Sequence, residues 1–425
     1  MPHSILRAAF AALLATALPS LLPAATTAVP RVEIVGEPGS WRLLRDGKPF
    51  FMHGVGGDGD YKKLSAIGGN IVRTYSSNNV EDQLRRAREA GIAVMFGLWI
   101  GHERHGFDYN DPVKIEAQRR MVIEAVTAHR DNPDILMWAV GNEMEGDGKN
   151  VVLWREINHL AKLIKQLDDR PVLTILAGAA VNKLEAVRDH CPDLDLLGIN
   201  SYGGIGGVHD RMLKHGPKIP YAITEFGAIG HWEKGKNAWG VELEQTSTEK
   251  GEMLLNGWKK HIEGRDGWCL GGFAFRWGWK QEATHTWFAL FLDDGSPTAS
   301  IDYLQYAWTD RWPAERAPGI EPLNIPAFAK PLQAGQRVPV TVAASTATGK
   351  PLRYEWSVWG ESRDRRDGGD REARPERHPE AVVQADPAAP AAELIAPAPG
   401  RYRLFITVRD HAGRVANHNL PFRVE

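Results

Sequence analysis

The strongest constraint on the fold is an eightfold alternation. From Pro49 onward, a short apolar run bounded by glycine is followed repeatedly by a longer stretch whose charges recur at helical spacing. The runs are FFMHGVGG (50–57), NIVRTYS (70–76), IAVMFGLWIG (92–101), ILMWAVGNE (135–143), VLTILAG (172–178), DLLGINSY (195–202), YAITEFG (221–227) and CLGGFAFRWGW (269–279). Such near-continuous apolar runs suit strands buried on both faces of a parallel sheet under helices. Eight βα units in about 250 residues match a closed (β/α)8 barrel, whereas an open doubly wound sheet needs fewer strands. The expected fold class is therefore α/β, a TIM barrel over 29–312.

Between the runs, NVEDQLRRAREAG is expected as a helix with Asn79 as N-cap and Gly91 closing it, and VVLWREINHLAKLIKQLDD as another before strand five. Ahead of the barrel, VEIVGEPGSWRLLRDGKPF alternates around the turn RDGK, which predicts a β-hairpin capping the barrel bottom. The first 28 residues carry one arginine, then an apolar stretch interrupted by Pro19, then small residues, the pattern of a secretory signal peptide. The expected location is exported, periplasmic or extracellular, with no membrane span after its removal.

After the barrel, a Pro-rich link (313–323) leads to period-two strands in QRVPVTVAA, LRYEWSVW, GRYRLFITVRD and HNLPFRVE. They predict a small all-β immunoglobulin-like sandwich over 324–425. Within it, the interleaved charges of 360–381 read as an exposed mobile loop and not a binding patch, and ADPAAPAAELIAPAPG behind it as low-complexity connection. Two cysteines, Cys191 and Cys269, leave a disulfide and two buried thiols equally open.

A formal net charge of -2 gives no electrostatic footprint for nucleic acid and suits a neutral substrate. In a (β/α)8 barrel the site lies at the C-terminal strand ends. The polar residues there are Arg73, Asn142, Glu143, Asn200, Tyr202 and Glu225, with Trp277 or Trp279 after strand eight. Two glutamates on strands four and seven fit glycosidic bond cleavage, which needs one carboxyl to protonate the leaving oxygen and another to attack the anomeric carbon. Glu143, ending a very apolar strand, suits the acid, and Glu225, within reach of Tyr202 and Arg73, the nucleophile. Trp99, Trp232, Trp239 and Trp287 fall in or near top loops, as sugar platforms or as packing. His102, in WIGHERHG after strand three, is expected to hydrogen-bond substrate, although a solvated loop is the competing reading. Glu145 reads as a turn carboxylate. No metal or cofactor is called for.

WAVGNE followed by YAITEFG resembles the clan of retaining (β/α)8 glycoside hydrolases with glutamates on strands four and seven; NPDILMWAVGNEME and LLGINSYGG look most like the barrel of glycoside hydrolase family 2. The resemblance covers roughly residues 40–312. It implies Glu143 as acid/base, Asn142 as donor to the sugar 2-hydroxyl, Glu225 as nucleophile steadied by Tyr202 and Arg73, and Trp277 as the floor under the sugar. That family carries a jelly-roll and an immunoglobulin-like domain before its barrel, and this chain does not follow that order. The expected activity is a retaining glycosidase on β-linked oligosaccharide or polysaccharide, of β-glucan type. The alternatives are a glucan-remodelling transglycosylase with the same carboxylates and a non-catalytic carbohydrate-binding protein. Oligomeric state is left open.

Overall fold

The computed structural model describes residues 28–367 and 369–425, so the expected leader lies, but for its last residue, outside the described residues. The eight apolar runs form β1 (Met52–Gly57), β2 (Ile71–Arg73), β3 (Ala93–Leu98), β4 (Ile135–Val140), β5 (Val172–Ala177), β6 (Leu196–Asn200), β7 (Tyr221–Phe226) and β8 (Cys269–Trp277). They pair in parallel in sequence order, and β8 returns to β1 to close the barrel. Each strand's two faces serve two cores. In β4, Leu136, Met137 and Ala139 pack into the barrel interior with Met95, Leu173 and Phe273, whereas Ile135, Trp138 and Val140 meet the helices. The close approach needed inside explains Gly54, where an added Cβ would sit 2.4 Å from the Phe273 ring.

Helices α1 (Tyr61–Ala66), α2 (Val80–Ala90), α3 (Pro112–His129), α4 (Val151–Lys165), α5 (Val181–His190), α6 (Val208–His215), α7 (Ser247–Gly257) and α8 (Ala299–Thr309) follow the strands in turn. Helix α2 ends at Gly91 in the left-handed region as expected, but Asn79 forms no capping bond with its side chain because it is itself left-handed, with φ 56°. Among the described residues, no helix is long and apolar enough to cross a membrane. The N-terminal strands Val32–Val35, Arg42–Arg45 and Lys48–Pro49 form an antiparallel sheet whose Val32 and Leu43 join the barrel interior core. Its tight turn places Asp46 and Gly47 at φ 51° and 73°, the left-handed pair that matches hairpin twist. Both cysteines are free and buried.

The C-terminal strands are β9 (Arg337–Thr341), β10 (Arg353–Gly360), β11 (Val382–Val383), β12 (Ala391–Ile395), β13 (Gly400–Arg409) and β14 (Val415–Val424). They make two antiparallel sheets, β9-β12-β11 and β10-β13-β14, around Val338, Trp356, Val358, Leu394, Leu404 and Phe422. Two segments differ from their sequence reading. Ile320 and Leu323 of the expected linker are buried in this core, and Ala391–Ile395 of the Ala/Pro-rich stretch is a paired strand.

The sandwich docks on the barrel through a buried polar cluster. Lys250 of α7 donates to Glu244 at 2.5 Å, and Glu244 also accepts from Thr284 (2.5 Å), Thr286 (2.8 Å) and Asn419 of β14 (2.6 Å). Burial alone would raise the Glu244 carboxyl; the Lys250 charge and these donors overcome it and hold it at about 2.

Candidate active site

Glu225 is the penultimate residue of β7, level with Asn200 at the end of β6. Its Oε1 accepts from Arg73 Nη1 (3.1 Å) and from the Tyr75 hydroxyl (2.9 Å), and its Oε2 from the Tyr202 hydroxyl (2.6 Å). All three of these partners donate to its oxygens, a pattern of charge-assisted hydrogen bonds around one carboxyl group. Burial and the Glu225 charge push both tyrosines well above the ordinary phenol range, so both keep the protons they donate.

Glu143 follows β4 across a tight turn. Gly141 is left-handed (φ 73°), and so is Glu143 itself (φ 53°), a conformation that costs a non-glycine residue of order 1–2 kcal/mol and clusters at functional sites. The backbone is held by Glu143 N–H donating to Ile175 O at 2.9 Å. Burial first, and the Glu225 charge second, raise the Glu143 carboxyl to about 7, against the lowering effect of the Asn200 amide donating to Oε1 at 2.8 Å. The two carboxyl groups thus sit in opposed surroundings, one among donors and one inclined to hold its proton.

Asn200 and Arg73 join them. Asn200 Nδ2 also reaches Asn142 Oδ1 (3.1 Å), while its Oδ1 accepts from Arg73 Nη1 (3.2 Å) and Thr224 (2.8 Å). Arg73 Nη2 donates to Asn142 Oδ1 at 2.5 Å. With its carbonyl engaged, Asn142 has its amide N–H groups left for a ligand hydroxyl in the cavity it lines.

That cavity, about 630 Å³ in volume, contains both carboxylates and is lined by aromatic Tyr75, Trp99, Tyr202, Trp232 and Phe275. It is of the size that takes a small ligand. The structure brings together Arg73, Asn142, Glu143, Tyr202 and Glu225 as the sequence placed them. It separates the other two expected residues. Trp277 is fully buried, edge-on to Phe291 at 4.7 Å, outside the cavity lining. The register of β8 against β1 slips between Phe275 and Trp277, which ends the inward row at Phe275; that ring, 6.1 Å from Tyr202, is the apolar wall. His102 is also buried outside the lining. Burial lowers its imidazole to about 4, and it stacks beneath Trp99 at 4.7 Å, supporting a cavity residue without facing substrate.

Glu145 is more than a turn carboxylate. Buried, it accepts from Ala177 N–H and Lys183 Nζ, both at 2.7 Å, and so fixes the β5–α5 loop whose Ala177, Gly178 and Ala179 line the cavity. Sequence reasoning missed Tyr75, although it lies two residues beyond Arg73 and strand alternation puts the two on one side. It also missed Arg276, Lys280 and Glu282 after β8. Lys280 is bound to Glu282 (2.6 Å) and to Gly369 O (2.6 Å). Among the described residues, no hydrogen bond or ion pair engages the side chain of Arg276, whose Nε is buried without a partner. The larger miss is the segment 360–381. It is no detached loop: Arg366, Asp367, Gly369 and Asp370 line the cavity, and Glu372 is buried, accepting from Ala283 N–H at 2.8 Å.

No family model matches the chain. Over 181 residues it is 28% identical to a β-glucuronidase of Chlorocebus aethiops, a match spanning 38% of this chain and 26% of that one. Among solved structures it resembles β-glucuronidase 2 of Bacteroides uniformis, bound covalently to cyclophellitol-6-carboxylate aziridine (15% identity, TM-score 0.53, 93% of this chain, 48% of that one). It also resembles a Faecalibacterium prausnitzii β-glucuronidase (20%, 0.54, 66% and 52%) and a family GH2 β-galacturonidase of Eisenbergiella tayi bound to galacturonate (17%, 0.51, 66% and 55%). The chain thus spans about a quarter to about half the length of these proteins, and what it shares with the solved ones is the fold, an eight-stranded parallel barrel with accompanying antiparallel sheets.

Proposed function

We propose that this protein is a retaining β-glycosidase. The observation that carries the reading is the pairing of Glu225, bound by three donors, with Glu143, raised to about 7, in one aromatic cavity. In the first step a Glu225 oxygen bonds the anomeric carbon as the bond to the leaving oxygen breaks, and that oxygen takes the Glu143 proton. In the second, water attacks the anomeric carbon, gives its proton to Glu143 and releases Glu225. Asn142 donates to the hydroxyl beside the anomeric centre. The apolar N-terminal stretch of the sequence supports a site of action outside the cytoplasm.

Net charge suited a neutral substrate and the expected glycan was of β-glucan type, but the Arg276 guanidinium, unpaired among the described residues, favours a sugar bearing a carboxylate, the class on which the named relatives act. A β-glucan remains the second reading, and transglycosylation would use the same two carboxylates with a sugar as acceptor. A non-catalytic role fits poorly with one carboxyl group bound by three donors and a second raised to about 7 in the same cavity. Incubation with 2-deoxy-2-fluoro β-glucuronide and β-glucoside reagents, followed by peptide mass spectrometry, is expected to place the label on Glu225, with retention of the anomer by NMR. A label elsewhere, or an inverted product, would overturn the assignment.

A further inference from the structure

We propose that the C-terminal sandwich completes the active site, its Arg366, Asp367 and Asp370 forming with Trp99 a subsite at the cavity rim for a glycosyl leaving group; the inference rests on the glycosidase reading above. Depth in the cavity orders its parts. Glu225 lies at the bottom with its side chain 8% exposed, backed by the 1% exposed Arg73, whereas Asp370 is 30% and Arg366 57% exposed at the rim. A sugar seated on Glu225 therefore directs its leaving group outward, past Glu143, to this rim.

The rim is held in place by the barrel from several sides. Asp370 accepts from His105 Nε2 at 2.8 Å and Arg104 at 3.5 Å on the β3–α3 loop, and Gly369 O accepts from Lys280 after β8. Arg365 pairs with Glu242 after β7 at 3.0 Å, and Arg374 with Asp293 before α8 at 2.7 Å. On the β3 side the contacts run through stacked rings: Trp99 on His102 at 4.7 Å, His102 near His105 at 5.2 Å, and His105 on Asp370. The platform beside Glu143 and the sandwich rim are thus one supported unit.

Its free groups suit a sugar. Among the described residues, Arg366 bonds through its Nε to Asp364 (2.5 Å) and leaves its Nη groups open, and the Asp367 carboxylate accepts nothing. A guanidinium donor and a carboxylate acceptor beside an aromatic face match the vicinal hydroxyls and apolar face of a pyranose. They offer little to an apolar aglycone.

The test compares the intact protein with the full-length double variant Arg366→Ala, Asp367→Ala. Two substrates share one glycone: 4-nitrophenyl β-glucuronide, and a disaccharide of glucuronic acid β-linked to a neutral sugar, with the matching glucoside pair alongside. We expect the ratio of kcat/KM for disaccharide over aryl glycoside to fall about tenfold, the scale of one lost hydrogen bond to a charged group. An unchanged ratio overturns the subsite. Calorimetric binding of the same disaccharides in a Glu225→Ala background reads the subsite without turnover. Affinity weakened about tenfold by the double variant supports it, and equal affinity refutes it. Absent turnover beside Arg366-dependent binding would sink the hydrolase reading and leave the subsite standing. Trp99→Ala serves as the second variant, with the same expected fall in the ratio.

Discussion

Replacing Glu143 by glutamine should make the protein more stable at pH 8 while removing the proposed general acid. Burial and the facing Glu225 charge raise the Glu143 carboxyl from 4.5 to about 7. Folding therefore strengthens proton binding, and by linkage the stability tied to that proton is fully present below pH 4.5 and is lost as pH rises through about 7. The interval of about 2.5 pH units, at about 1.4 kcal/mol each, corresponds to about 3 kcal/mol of stability forgone at pH 8 when the carboxylate must sit charged beside Glu225. Glutamine keeps the shape and the amide geometry without the charge. Thermal unfolding followed by circular dichroism at pH 4.5 and pH 8 should show the variant several degrees above the parent at pH 8 and level with it at pH 4.5. The parent's kcat/KM should fall on the alkaline side with a midpoint near 7, because the proton to be donated is then gone. A variant shifted equally at both pH values, or an alkaline limb near pH 9, would refute the account of this carboxyl.

Two other outcomes follow from charged side chains away from the carboxyl pair. Lys250→Met strands Glu244 in the barrel–sandwich interface without its ion pair and should cost roughly 3–5 kcal/mol, read as a lowered unfolding temperature; a change of under about 1 kcal/mol would mean that the cluster does not carry the docking. Arg276→Ala should lower the ratio of kcat/KM for a β-glucuronide over the matching β-glucoside by about ten- to a hundredfold, as expected for a lost charge-assisted bond, and an unmoved ratio returns the neutral β-glucan to first place.

The barrel was legible because its strands are buried on both faces, so each shows as an unbroken apolar run whatever it packs against. The carboxylates were legible for a related reason: a polar residue closing such a run has nowhere to go but the strand's C-terminal end. Legibility failed where geometry is not a property of one strand. Trp277 shares its alternation with Phe275, and no local feature of FAFRWGW reveals that the pairing with β1 slips between them. His102 stands next to the cavity in sequence, yet its ring lies under Trp99. Glu145 differs from an ordinary turn residue through partners distant in sequence, the Ala177 N–H and Lys183, 32 and 38 positions on.

The segment 360–381 shows the same failure at domain scale. Its charges look solvated because their partners lie between 81 and 266 residues away: Asp293 for Arg374, Glu242 for Arg365, Arg104 and His105 for Asp370. Composition measures how a segment would behave alone, and alone this one has no apolar side with which to fold. Docking supplies what it lacks, through the β10 and β13 strands that flank it in the sheet and the barrel loops that receive its charges. A sandwich placed merely as a spacer would need none of these pairings on the side where the carboxylates open. The Asp370 pairings at the cavity lining, with Glu372 buried against Ala283 N–H, make the second domain part of the shape of the site, so under the proposed function substitutions in it should alter substrate preference as well as how stably the chain folds.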